Sequence, residues 1–245
     1  RMAEIAGAQL GADRGRLSTD SGMPFEILVA ADGSLAHILT NTGELRTIAV
    51  DTMAEVAAPV AFGRLPRMLN RLGSLHASLS ADERVVAINL PEGGRVAFVD
   101  VVARTSWTAA LPPAPPSEWV GAVAFNRSPV NHGLLAVHRV SHVEVYQVDS
   151  GHAMTRTGSI QISPPVWSDV TLHATLDWST DGRHIVAATD SQTGFVVLDV
   201  AEGGTILSDR GVLSPCSTGL PGIRQAPSDI LTGNGYIVPP PTASA

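Results

Sequence analysis

Two histidines sit in nearly identical pentapeptides, Leu75-His76-Ala77-Ser78-Leu79 and Leu172-His173-Ala174-Thr175-Leu176. Imidazole ligates metals and moves protons near neutral pH, so two rings facing one cavity would make a metal or acid–base site. The competing role is structural, with each ring bonding a loop backbone between neighbouring units. The second segment also runs longer before its turn, from 173 to 181 against 76 to 82, so equal depth in a shared cavity is not assured. His138 and His142 form another candidate pair, but a spacing of four converges on a helix and need not on a hairpin. Trp119 and Trp167 stand where connecting loops would reach the mouth of such a cavity. These six side chains are the candidate binding residues. His37, His152 and His184 read as solitary, packed or solvated.

Much other chemistry is excluded by residue type. All 16 basic residues are arginine, so there is no lysine for a Schiff base, a general base or a Walker phosphate loop. No G-x-S-x-G elbow, H-E-x-x-H helix or Gly-rich dinucleotide loop occurs. Cys216 is the sole cysteine, which excludes an internal disulfide and a multi-thiolate zinc site, and it has no fixed histidine partner. No catalytic residue, no metal site and no cofactor is therefore assigned. Net charge is −7 and the arginines are scattered singly, which argues against a nucleic-acid partner. No apolar stretch is long enough to span a membrane, and the first residues lack the apolar segment of a signal peptide. Neither feature assigns a compartment.

The elements that must position these residues are short strands in a repeat. Val50-Asp51, Val99-Asp100, Val148-Asp149 and Leu198-Asp199 recur at intervals of 49, 49 and 50 residues. Each aspartate reads as a turn cap at a strand end. A period in this range, filled with strands and tight turns, predicts an all-β propeller of four-stranded antiparallel blades. The clearest copy has strands near 173–179, 183–189, 195–198 and 205–207, with turns at Thr180-Asp181-Gly182, Ser191–Gly194 and Ala201–Gly204. Counting back from each first turn gives Val29, Leu79, Phe125 and Trp178, an apolar column expected to pack blade against blade. The blades are placed at about 25–65, 72–112, 117–162 and 168–213 of a single domain spanning 1–245. Residues 1–24 and 214–245 are expected either to complete a fifth blade or to be linker, with the chain then part of a larger ring; the slight preference is for the partial ring. The Pro-rich tail after 238 reads as linker or disordered end.

The runs Trp178-Ser179-Thr180-Asp181-Gly182-Arg183 and Phe195-Val196-Val197-Leu198-Asp199 resemble the blade pattern of bacterial YVTN-type and WD-repeat-like propellers. Ser80 to Asp100 looks like the same pattern, with Glu83 where the family usually has glycine. That superfamily holds adhesive and scaffolding proteins, lactone hydrolases, and haem- or quinone-binding enzymes, so the fold alone does not select a function. With strong repeat grammar and no catalytic constellation, the expected function is a non-catalytic binding or scaffolding propeller that presents rim loops to a protein or small ligand. The contact face would carry the turns at 40–44, 90–94, 138–142 and 190–194. The alternatives are an enzyme of the lactonase or quinoprotein kind with its site in the channel, and a structural segment of a larger surface protein.

Overall fold

The computed structural model describes residues 24–63, 76–90, 94–111, 120–139, 142–151, 153–161, 175–188, 195–213, 223–225, 230–232 and 237–238. Every regular element among the described residues is a β-strand. Blade 1 contains β1 (Pro24–Val29), β2 (Leu35–Thr40), β3 (Glu44–Ala49), β4 (Ala54–Glu55) and β5 (Val60–Ala61). Its outermost strand is split, because β4 pairs with one end of β3 and β5 with the other. Blade 2 is β6 (Ala77–Leu79), β7 (Val85–Leu90), β8 (Arg95–Asp100) and β9 (Thr105–Ala110). Blade 3 is β10 (Val120–Phe125), β11 (Leu134–Arg139), β12 (His142–Val148) and β13 (Met154–Gln161). Blade 4 is β14 (Thr175–Trp178), β15 (His184–Ala188), β16 (Phe195–Val200) and β17 (Ile206–Leu213). A further sheet follows, with β18 (Ile223–Gln225), β19 (Ile230–Thr232) and β20 (Ile237–Val238).

Within each sheet, consecutive strands pair antiparallel in sequence order. Between sheets, first strands lie beside first strands: β1 by β6, β6 by β10, β10 by β14 and β14 by β18. The first strands therefore line a common interior and later strands step outward, the radial order the repeat predicts.

Burial on both faces explains the strand sequences. β7 reads Val-Val-Ala-Ile-Asn-Leu, and Val86, Ala87 and Ile88 are all fully buried. A half-exposed strand would alternate, whereas a sheet covered on both sides reads as an apolar run. Three apolar cores fill the spaces between blades. Leu39 and Leu45 meet Leu79, Val86 and Val99 between blades 1 and 2. Val96 and Phe98 meet Val123, Phe125 and Tyr146 between blades 2 and 3. Leu134, Val143 and Val145 meet Leu176, Trp178 and Ile185 between blades 3 and 4.

The true anchor of the repeat is the first hairpin. The N–H of Ala30, Ser80 and Ser179 donates to the carbonyl of Leu35, Val85 and His184, and in blade 3 a turn three residues longer lets Asn126 reach Leu134. These acceptors fall at intervals of 50, 49 and 50 residues (35, 85, 134, 184). The aspartates follow that period less closely. Asp100 and Asp199 end the third strands, opposite Val85 and His184, while Ala49 and Gln147 hold those places in blades 1 and 3. Asp51 and Asp149 stand two residues further on. Both positions suit a turn cap: Asp100 accepts from the N–H of Val102 and Ala103, and Asp149 from Gly151 and Ala153. Glu83 adopts the left-handed φ of 58°, as the glycine-like position in the sequence pattern implied.

Candidate functional site: a polar seam at the turn end of blades 2 and 3

Strand direction brings the candidate residues to one end of the ring. β6 starts and β7 ends there, as do β11 and the start of β12, so His76, Asn89, His138, Arg139 and His142 share the end that carries the second-to-third-strand turns. His173, Trp119 and Trp167 lie outside the described residues.

His76 immediately precedes β6 and is half-buried. Its backbone is held by Asn89, whose Oδ1 accepts the His76 N–H at 2.7 Å and whose own N–H donates to the His76 carbonyl at 3.0 Å. The Asn89 Nδ2 then donates to the Gly121 carbonyl of β10 at 3.0 Å. One amide, 1% exposed, thus fixes the His76 backbone and stitches blade 2 to blade 3. Sequence reasoning missed Asn89, although a single amide inside the apolar run of β7 was a signal, because a buried amide must find partners.

His138 and His142 part company. In an antiparallel pair, opposed residues share a face, and His138 is opposed to Val143 and Ala122. His142 therefore faces the other side, half-buried and opposite Gln161. The two rings cannot join in one ligand set. His138 is fully buried against the blade 4 side, and neither ring nitrogen has a hydrogen-bond partner. Burial is the chief reason its imidazole is pushed down to about 4, and the charge of nearby His76 adds to the effect. The ring is neutral at physiological pH. His76 and His138 are thus electrostatic neighbours at the interior edge of blades 2 and 3.

Beside them is a buried ion network. Glu144, 3% exposed, accepts from Tyr146 Oη at 2.7 Å, Arg156 Nη1 at 2.9 Å and Arg139 Nη1 at 3.1 Å. Burial alone would raise its carboxyl strongly, but the bonds from Tyr146, Arg139 and Arg156 outweigh it and hold the group below the usual range. Burial, and then the Glu144 bond, push the Tyr146 phenol up. With three donors on one carboxylate, this group is bound as an ion-pair hub.

His184 is not solitary, which corrects the sequence reading. It lies across the strand pair from Asp199, with Nδ1 2.8 Å from Asp199 Oδ1, and its Nε2 is 3.7 Å from Asp181. Ser208 donates to Asp199 Oδ2 at 3.0 Å. This is not a hydrolase triad, because the hydroxyl bonds the carboxylate rather than the imidazole. His37 is buried, with Nδ1 2.9 Å from Thr47 Oγ1, and burial lowers its pKa. Trp178 donates from Nε1 to the Ala124 carbonyl at 3.0 Å across the blade 3–4 seam, and Trp107 stacks on Phe98 at 5.1 Å; both serve packing. Among the described residues, no group of three or more His, Cys, Asp or Glu side chains is placed to hold a metal ion. Among them too, no helix is long and apolar enough to cross a membrane.

No family model matches the sequence, and no curated protein does. Solved structures do match. The β-propeller domain of Cps50 (Swd1) from Myceliophteria thermophila superposes with a TM-score of 0.60 at 14% identity, covering 86% of this chain and 62% of that one. The fold is a β-propeller. Hydrazine synthase from Kuenenia stuttgartiensis matches with a TM-score of 0.56 at 18% identity over 87% of this chain and 55% of its own. A candidate 6-phosphogluconolactonase from Bacteroides uniformis gives 0.60 at 12% over 83% and 62%. The chain thus spans 55–62% of the length of these propellers. At such identities the likeness carries the fold and no activity.

Proposed function

We propose that the chain is a non-catalytic binding propeller of one domain, residues 1–245, which presents the turn end described above to a protein or small ligand. The observation that carries this reading is how the clustered ionisable groups are used. Glu144 accepts from three donors, His184 is held through Nδ1 by Asp199, and His138 is neutral and sealed from solvent. Glu144 and His138 are thus built into the frame rather than turned to a substrate. The bonds of Glu144 and His184 brace strands within blades 3 and 4 and so hold the loops, the usual seat of recognition, on a rigid frame. His76 and His142 are the described members of the contact set, and Trp119, Trp167 and His173 join it from the sequence alone. The YVTN- and WD-like pattern supports this reading only as a likeness of turns and strands.

A second reading rests on His76, a half-buried imidazole at the start of the first strand of blade 2. An enzyme sited in the channel around His76 and His173 would be one of the lactonase or quinoprotein kind.

The test compares pull-downs from the native host with wild type and with a variant carrying alanine at the tips of the four turns, 41–43, 91–93, 140–141 and 190–194, which leaves the buried Thr40, His138 and Arg139 in place. Loss of the captured partner with unchanged melting supports the binding face, and a partner that survives all four changes removes it. Metal analysis of purified protein separates the readings. Stoichiometric metal that disappears in His76→Ala/His173→Ala supports the enzyme.

A further inference from the structure

The residue that opens the second strand changes character in blade 4. Its carbonyl closes the first turn, and it is Leu35, Val85 and Leu134 in blades 1 to 3 but His184 in blade 4. The residue opposite it on the third strand is Ala49, Asp100, Gln147 and Asp199 in turn. Blade 2 shows the shared scaffold without an imidazole. There Ser80 Oγ donates to Asp82 Oδ1 at 2.6 Å, and Asp100 accepts from Arg84 Nε and from the N–H of Val102 and Ala103. Blade 4 keeps the Ser–Asp turn and adds a ring between two carboxylates. Any residue supplies the carbonyl that closes the turn, so the fold itself does not call for a histidine.

Both carboxylates are oriented from behind. Asp199 Oδ1 lies 2.8 Å from His184 Nδ1, and Ser208 Oγ donates to Asp199 Oδ2 at 3.0 Å. A carboxylate only accepts, so Nδ1 carries the ring proton and the lone pair of the neutral ring is on Nε2. Asp181 Oδ1 accepts from Ser179 Oγ and, at 3.0 Å, from the Arg183 N–H. Its other oxygen, Oδ2, stands 3.7 Å from His184 Nε2. Among the described residues, neither Nε2 nor Oδ2 makes a hydrogen bond. Two acceptors at this separation repel each other, and a cation shared between them turns that repulsion into binding. Burial would raise the Asp181 carboxyl, but the bonds from Ser179 and Arg183 outweigh it and hold the group below its usual range, so it is ionised at neutral pH. The Asp181 side chain is 53% exposed, which gives an ion a path in from solvent.

We propose that His184 Nε2 and Asp181 Oδ2 bind a single zinc ion at the first-turn end of blade 4. Imidazole nitrogen and carboxylate oxygen are both zinc ligands, and on a tetrahedral ion two such atoms lie about 3.4 Å apart, close to the separation found here. Asp199 supplies the outer carboxylate that fixes the ring and its tautomer, and Ser208 fixes that carboxylate in turn. With two protein ligands, the remaining positions fall to water or to a donor carried by a bound molecule. The first turns lie at the opposite end of the strands from the contact face proposed above, so the site goes beyond that reading and does not depend on it.

The experiment titrates zinc into chelator-stripped protein by calorimetry at neutral pH. The expected result is one zinc per chain, bound at least tenfold more weakly by His184→Val, which installs the residue blade 2 has at this place. Asp181→Asn, which keeps an acceptor for Ser179 and Arg183, is expected to weaken binding by a similar factor. Asp82→Asn, the matching change in the blade that lacks the imidazole, leaves the titration as in wild type. So does His76→Ala/His173→Ala, which separates this site from a metal in the channel. A wild-type chain that takes up no zinc overturns the proposal, as does an affinity unchanged in either His184→Val or Asp181→Asn. Zinc lost in the His76/His173 variant places the metal elsewhere and overturns it equally. Should His184→Val fail to fold, Asp181→Asn, at an exposed turn, decides alone.

Discussion

The seam between blades 3 and 4 and the first strand of blade 1 are built from the same repeat positions, yet Trp178 is sealed and Val29 half exposed. At the seam, Trp178 is buried, its indole N–H spans to the Ala124 carbonyl, and Gly182 is seated so closely that a Cβ would collide with the Val130 carbonyl and lie 2.7 Å from Ser128 Cβ. On blade 1, Val29 at the same place is 52% exposed, and a Cβ at Gly33 would find no atom within 4 Å. The lesson is that the repeat sequence specifies a blade, while a neighbour decides what each residue contributes. Identical grammar yields a core in one place and a surface in the other.

Four measurements on the 245-residue chain would break or sharpen that contrast. The largest effect is expected from Trp178→Ala, about 4 kcal/mol lost in denaturant unfolding, against less than about 0.5 kcal/mol for Val29→Ala. Comparable losses would mean that the two positions are not equivalent in the way described.

Next comes the glycine pair. Gly182→Ala adds a clash to the cost of a left-handed φ of 69°, for about 3 kcal/mol in total. Gly33→Ala, at a φ of 73° but with open space around it, costs about 1 kcal/mol. Equal unfolding midpoints for the two variants would contradict the contrast in packing.

His138 gives an effect at the same seam that depends on pH. Its imidazole falls from 6.5 to about 4 on folding, so the unfolded chain binds the proton more tightly. Stability from keeping it neutral is complete above 6.5 and is lost as pH falls from there through about 4. The loss is on the order of 3 kcal/mol. His138→Leu is expected to flatten this acid limb in a series of denaturation midpoints from pH 7.5 to 4.5. A limb unchanged in the variant would assign the acid sensitivity elsewhere.

The smallest effect belongs to Glu83, which reaches Ala31 in blade 1 and Arg127 in blade 3 from a left-handed backbone. Glu83→Ala loses the bonds and keeps the strain, costing about 1 kcal/mol. Glu83→Gly trades the bonds for relief of about 1 kcal/mol of strain and stays near wild type. A glycine variant no more stable than the alanine one would show that the left-handed turn stores no strain.

Much of this architecture was legible beforehand, because turn chemistry and apolar runs are local. The Thr180-Asp181-Gly182 turn, the apolar column and the strands of all four copies lie where the pattern put them, within a few residues. The outer strands were harder to read. β17 runs from Ile206 to Leu213, well past the expected 207, because Ser208-Asp209-Arg210 carries no apolar signal. The candidate site was legible in its parts but not in its relations. Sequence proposes that His138 and His142 pair, and only register shows them on opposite faces. Asn89 matters through a carbonyl 32 residues away, and His184 through a cross-strand carboxylate, neither of which a local window contains. The exposure of Val29 is not written in its neighbourhood at all, since it depends on the blade beside it.

The divided margin of blade 1 has a further consequence. With Ala54–Glu55 and Val60–Ala61 meeting β3 in two short pieces, the rim offers no continuous ladder of backbone donors and acceptors for a stranger to extend. Intermolecular β-addition needs such a ladder, so the interruption acts as a gatekeeper against fibre-like stacking along that margin.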